Sequence, residues 1–167
     1  EKPFVLSMSH ARKLINLKIK NRVKCWVAFQ NRYNQAIICL KDAILKKRFG
    51  KIITIAVVLR WCRYQKYYND EWHGTWKNDG GVINQQAIHH VDALNWLFGP
   101  IKSVNAIIKN RLNKLQAEDT LVSSLELFNG SLCTVEATTA ARPKDYEASI
   151  SVIGEKGYAK IGGIALN

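Results

Sequence analysis

No run of apolar residues in this chain approaches the length of a membrane span; the longest, 52–59, is only strand-sized. A membrane partner is therefore not expected. The opening Glu1-Lys2-Pro3 leads into a short apolar run without a cleavage-site pattern, so no secretory leader is expected. An initiator Met is missing, and the chain stops at Gly162-Gly163-Ile164-Ala165-Leu166-Asn167 with neither a helix nor a polar tail. Both ends read as internal positions of a longer protein. Cysteine is sparse: Cys25, Cys39, Cys62 and Cys133 form no C-x-x-C pair, which argues against a zinc site and a dense disulfide scaffold. Reduced cysteines fit a cytoplasmic protein, and no metal is expected.

Acidic residues are also scarce, 13 Asp and Glu against 25 Lys and Arg, for a net charge of +12. Such a surplus raises the question of a nucleic-acid partner. The cations are dispersed, however, through Lys13, Lys18, Lys20, Arg22, Lys46, Lys47, Arg48, Arg60, Arg63 and Lys66. No helix-turn-helix, zinc-finger or RNA-binding motif accompanies them. Solvated helix faces, with some binding of small anions, account for them better. What is present suffices for one compact core: 47% of the 167 residues are hydrophobic, five of them Trp.

Apolar spacing predicts a helix over 7–21, N-capped by Ser7, with Ala11, Leu14, Ile15 and Ile19 on one face. A strand over 23–29 follows, then a helix over 34–48 ending on three cations before Gly50, then a strand over 52–60. Residues 61–77 have no period but hold three Trp and three Tyr, the composition of an ordered loop that lines something. A third helix spans 82–98, opened by Asp79 or the glycines and stopped by Gly99-Pro100. The period then becomes two, with strands over 101–109, 120–128, 131–139 and 147–153. Asn129-Gly130 is a strong hairpin signal, and a last hairpin turns near Lys156-Gly157. The expected fold class is α+β. An open, mainly antiparallel sheet, read as a meander, carries helices on one face. The last helix and strand of a truncated α/β unit precede it.

The segment from Asp79 to Asp92 carries the chemistry. At about 100° per residue, Gln85 lies above His89, and Asp92 shares part of that face. A His among polar groups on an otherwise apolar helix suits proton transfer near neutral pH, although on spacing alone a half-buried, hydrogen-bonded His is the better reading. His90 points away from Gln85 and has the weaker claim.

These residues resemble the second signature of the Gfo/Idh/MocA oxidoreductases, a glycine pair followed by D-x-G-x-H-x-x-D. His89 matches its His and Asp92 its trailing Asp, while Gln85 replaces the Asp and Ala87 the Gly. Glu1-Lys2-Pro3 is similar to the triplet that ends the family's dinucleotide-binding domain. Gln30-Asn31-Arg32-Tyr33-Asn34 resembles the opening of its substrate domain. Arg60-Trp61-Cys62-Arg63 and Trp72-His73-Gly74-Thr75-Trp76 resemble the loop of its nucleotide-sugar branch.

The resemblance implies a division into 1–30, the remnant of a dinucleotide-binding domain, and 31–167, a substrate, catalytic and oligomerisation domain. It implies NAD or NADP in the intact enzyme and a sugar or nucleotide-sugar substrate. A homo-oligomer would form through the open sheet. Lys2, His89 and Gln85 would be catalytic, with Lys2 also near the cofactor. Arg32, Tyr33, Arg60, Arg63, Trp76, Gln86 and Asp92 would bind substrate, the arginines through its anionic groups. The G-x-G-x-x-G turn that cradles a dinucleotide is missing, so no cofactor is expected on these residues alone. Two alternatives stay open: a basic nucleic-acid module stacking bases on the aromatic loop, and a catalytically inactive member serving oligomerisation.

Overall fold

The computed structural model describes residues 4–5 and 7–166. Helix α1, Met8–Lys20, begins as its sequence suggests: the Ser7 side chain accepts the His10 N–H at 3.2 Å. None of its residues is buried. Residues 23–29 form no strand and pair with no other strand among the described residues; Trp26 in their midst is 79% exposed. β-Favouring side chains make a strand only where a neighbour completes the ladder.

A 3-10 turn, Gln30–Tyr33, leads into α2, Gln35–Leu45, and then β1, Ile52–Arg60. The aromatic loop after β1 contains a second 3-10 turn, Gln65–Tyr68. The expected single helix over 82–98 is two: α3, Gly81–Gln85, and α4, Ile88–Phe98. Ala87 N–H reaches back five residues to the Val82 carbonyl, a wide closing turn that ends α3 and re-aims the chain. The stacking of Gln85 above His89 on one continuous helix is therefore interrupted. Five strands follow: β2 Ile101–Lys109, β3 Thr120–Leu127, β4 Leu132–Thr138, β5 Glu147–Gly154 and β6 Gly157–Gly163. The β3–β4 turn places Gly130 at φ +83°, as Asn-Gly turns require.

The six strands form one sheet in the order β2-β3-β4-β1-β5-β6. This corrects the meander. β1 enters between β4 and β5, parallel to β4 and antiparallel to β5, while every other pairing is antiparallel. Its sequence explains the central place: uncharged and β-branched up to Leu59, it pairs Val57 with both Val135 and Ile150.

One face of the sheet is covered. Ile55, Val57 and Leu59 of β1, Leu121 and Leu125 of β3, Val135 of β4, and Ile150 and Val152 of β5 are at most 8% exposed. Ile37 and Leu40 of α2 pack on them, with Ala93, Leu94 and Leu97 of α4. Each fully buried Leu or Ile contributes roughly 1.5–3 kcal/mol. The opposite face carries Val122, Leu132, Ile153 and Tyr158, all about half exposed or more.

Candidate active site

The glycine pair that opens α3 has a steric cause. Gly80 and Gly81 sit at φ +74° and +81°, where L side chains are strained. A Cβ on Gly81 would stand 2.0 Å from Glu118 Oε2. Glu118 lies there as a cap: its carbonyl accepts the Val82 N–H at 3.1 Å and its Oε1 the Ile83 N–H at 3.2 Å. Burial, helped by the neighbouring charges of Asp79 and Asp119, holds the Glu118 pKa above the usual carboxylate range. Asp79 does not cap the helix; its Oδ2 accepts the Gly74 N–H at 2.5 Å and ties the aromatic loop down.

Beyond the glycines, Gln85 and Gln86 both donate from Nε2 to the Tyr67 hydroxyl, at 3.1 and 3.0 Å. Two helix amides thus hold the aromatic loop against α3. Below them Tyr67, Tyr68, Asp79, Glu118 and Thr139 surround a space of about 10 Å³, room for one water.

His89 opens onto a cavity of about 250 Å³. Gln30 and Asn31 of the first 3-10 turn line it, with Trp61, Gln86 and His90. Three interactions hold these walls. Arg32 forks onto Asp92 of α4, Nε to Oδ2 at 2.7 Å and Nη2 to Oδ1 at 2.5 Å, with its guanidinium over the Phe29 and Trp96 rings. That fork presents Gln30 and Asn31 to the cavity, and it raises the arginine's pKa. Trp61 Nε1 donates to the Ile164 carbonyl at 2.8 Å, and Asn34 Nδ2 donates to the Leu166 carbonyl. The Phe29 ring meets His89 edge-on at 6.2 Å between centroids.

The structure brings His89 and Gln86 into one cavity, with Gln85 on the small space beside it. Arg32 and Asp92 support that cavity as a pair, each taken up by the other. Arg63 does not line the cavity; its guanidinium lies 5.2 Å from the centroid of the Trp61 ring and 3.1 Å from Asp145. Arg60 is not brought there. It alternates with the buried Leu59, so it lies on the opposite sheet face, bound to Glu136 at 2.6 Å and Glu147 at 3.0 Å. Tyr33 is 79% and Trp76 54% exposed, and neither lines the cavity. Lys2 lies outside the described residues. Tyr67 and Glu118 were not singled out from the sequence, because their partners are 18 and 35 residues away and no local pattern marks such contacts.

Known proteins share this fold. The family model described as the GFO/IDH/MocA C-terminal domain matches residues 37–160. The WlbA dehydrogenase of Bordetella pertussis, solved with NADH and UDP-GlcNAcA, superposes with a TM-score of 0.97 at 36% identity, covering 99% of this chain and 48% of that one. The WlbA dehydrogenase of Chromobacterium violaceum, solved with the same two ligands, gives 0.96 at 37% identity, with 99% and 48% covered. An uncharacterized oxidoreductase of Synechocystis is 27% identical over 175 residues, covering 97% of this chain and 47% of that protein. The chain thus spans about half the length of these relatives. By the family match over most of its length, this chain belongs to the GFO/IDH/MocA oxidoreductase family, as its C-terminal domain.

Proposed function

We propose that this chain is the substrate-handling part of a nicotinamide-dependent oxidoreductase acting on a sugar or nucleotide-sugar hydroxyl. Residues 1–30 are the tail of its dinucleotide-binding domain, and 31–167 are its substrate domain. The observation that carries the reading is His89, on the wall of a cavity to which Gln30, Asn31 and Gln86 also bring polar side chains. Sugar hydroxyls need such short polar side chains around them. The WlbA neighbours, bound to NADH and UDP-GlcNAcA, supply the substrate class.

The described residues fit the sugar and not the dinucleotide. A pyrophosphate needs a glycine-opened helix N-terminus with free N–H groups. The glycine-opened N-terminus at α3 is filled by the Glu118 carboxyl, which repels phosphate. On this reading the hydride acceptor is held by another part of the intact protein. In this part, His89 takes the hydroxyl proton as the carbonyl forms and returns it in the reverse direction. Lys2 polarises the same oxygen. Gln85 cannot act as a base; its amide holds Tyr67 and thereby the aromatic wall. Arg63 is the better candidate for the substrate's anionic part, since Arg60 faces away. The open face of the sheet pairs with a second copy.

The test is His89→Ala in the intact protein with UDP-GlcNAcA and NAD. Turnover should fall by about 10²-fold or more while KM moves little, the pattern of a group acting in the chemical step. An unchanged turnover number would return His89 to an ordinary structural role.

A further inference from the structure

His90 has no part in the reading above, yet its surroundings are unusual. It is 1% exposed, and among the described residues neither ring nitrogen has a hydrogen-bond partner. Its ring meets Trp61 edge-on, 6.2 Å between centroids at 82°. A neutral imidazole always carries one N–H and one lone pair. Leaving both unmet inside a protein is unfavourable, and a Phe would make the same edge-on contact without that penalty. A histidine in this place implies something to bind.

The same ring lines the His89 cavity. Burial, reinforced by His89, lowers the His90 pKa to about 4, so at neutral pH the ring is uncharged. An uncharged imidazole offers no attraction to phosphate or carboxylate. Its donor and acceptor instead match an O–H group, which both gives and takes a hydrogen bond. The guanidinium that braces this cavity leaves the preference intact, because Asp92 neutralises Arg32. Anionic parts of a ligand are thus directed away from this floor, and hydroxyls toward it.

We propose that His90 is a hydroxyl-binding residue of the His89 cavity, holding through one imidazole nitrogen an O–H group supplied by water in the free protein and by the sugar in the complex. Only the second source rests on the sugar-oxidoreductase reading.

The test uses the protein with ¹⁵N-labelled histidine side chains at neutral pH, with UDP-GlcNAcA as the probe and calorimetry run alongside. His90 should show one protonated and one bare nitrogen, with its N–H or ring protons in contact with a long-lived water. Saturating UDP-GlcNAcA should shift the His90 nitrogens and remove that water contact. His90→Phe should weaken UDP-GlcNAcA roughly tenfold, the effect of one lost hydrogen bond, and His90→Gln should recover most of it. A ring without water contact and without response to bound UDP-GlcNAcA overturns the proposal. So does a water contact that persists while calorimetry shows UDP-GlcNAcA bound. If calorimetry shows no binding while the water contact is present, the sugar reading of the cavity fails, and the hydroxyl site stands on its water.

Discussion

His90 also makes stability depend on pH in a direction that its burial fixes. Its pKa falls from 6.5 in the unfolded chain to about 4 in the fold. Above pH 6.5 neither state binds the proton, and the stability is whole. As pH falls from 6.5 toward 4, the unfolded chain takes the proton first, and stability declines. The loss amounts to about 3 kcal/mol by the time both states are protonated. Glu118 works the other way: its raised pKa means that ionisation is less favourable in the fold than in the unfolded chain, so acidification relieves it. Urea unfolding of the parent and His90→Phe at pH 7 and pH 4.5 separates the two. The parent should lose stability relative to the variant at the lower pH; parallel behaviour would mean that the ring takes up a proton as readily in the fold as in the unfolded chain. The sequence separates His90 from His89 by helical spacing, which puts His90 on the face of Ala93, Leu94 and Leu97. What spacing does not reveal is Trp61, 29 positions earlier in the chain, whose ring meets the His90 imidazole edge-on.

At the scale of elements, the glycine pair and the Glu118 cap form one device. Gly81→Ala places a methyl group on a carboxylate and an L residue at φ +81°. It should destabilise by about 2 kcal/mol, and Glu118→Ala in the same chain should recover only the steric part. Thermal unfolding of the two single variants and the double variant measures that coupling; strict additivity would mean that the contact relaxes freely. Elements whose signals are local were legible in the sequence: the Ser7 cap, the Asn129-Gly130 hairpin, and the stop at Gly99, which takes φ +96°. Three features were not. Residues 23–29 have strand composition, but pairing needs a neighbour that composition does not reveal. The break at Gln86–Ala87 follows from α3 being held by Glu118 and Tyr67, both remote in sequence. The insertion of β1 beside β4 joins residues such as Thr54 and Leu132, far beyond the reach of any periodicity. Of the site, the motif located His89, while the cavity walls at Trp61, Gln30 and Asn31 emerged only when distant turns met.

For the whole molecule, one face of the sheet is left uncovered. Ser124, Thr134, Ala56 and Ser151 form a row of small residues across β3, β4, β1 and β5, flanked by exposed Val122, Leu132 and Ile153. A face so flat and partly apolar suits another sheet. Sedimentation should show a dimer or larger species, and Val122→Lys with Leu132→Lys should shift it to monomer; a monomeric parent would sink the proposed pairing. Calorimetry at moderate salt should find no saturable NAD(H) or NADP(H) binding to residues 1–167, since charge alone attracts nucleotides only weakly through screening. A stoichiometric micromolar complex would reveal a nucleotide cradle elsewhere in the chain. The central place of β1 has a further consequence, in time rather than in space. The strand is made early, and both of its partners, β4 and β5, are made late. During synthesis, residues 52–59 therefore emerge as an uncharged, β-branched segment with both edges open, the composition that seeds aggregates. Lys47, Arg48 and Lys51 precede it and Arg60 follows it. These cations act as gatekeepers, keeping nascent chains apart until the sheet closes around the segment.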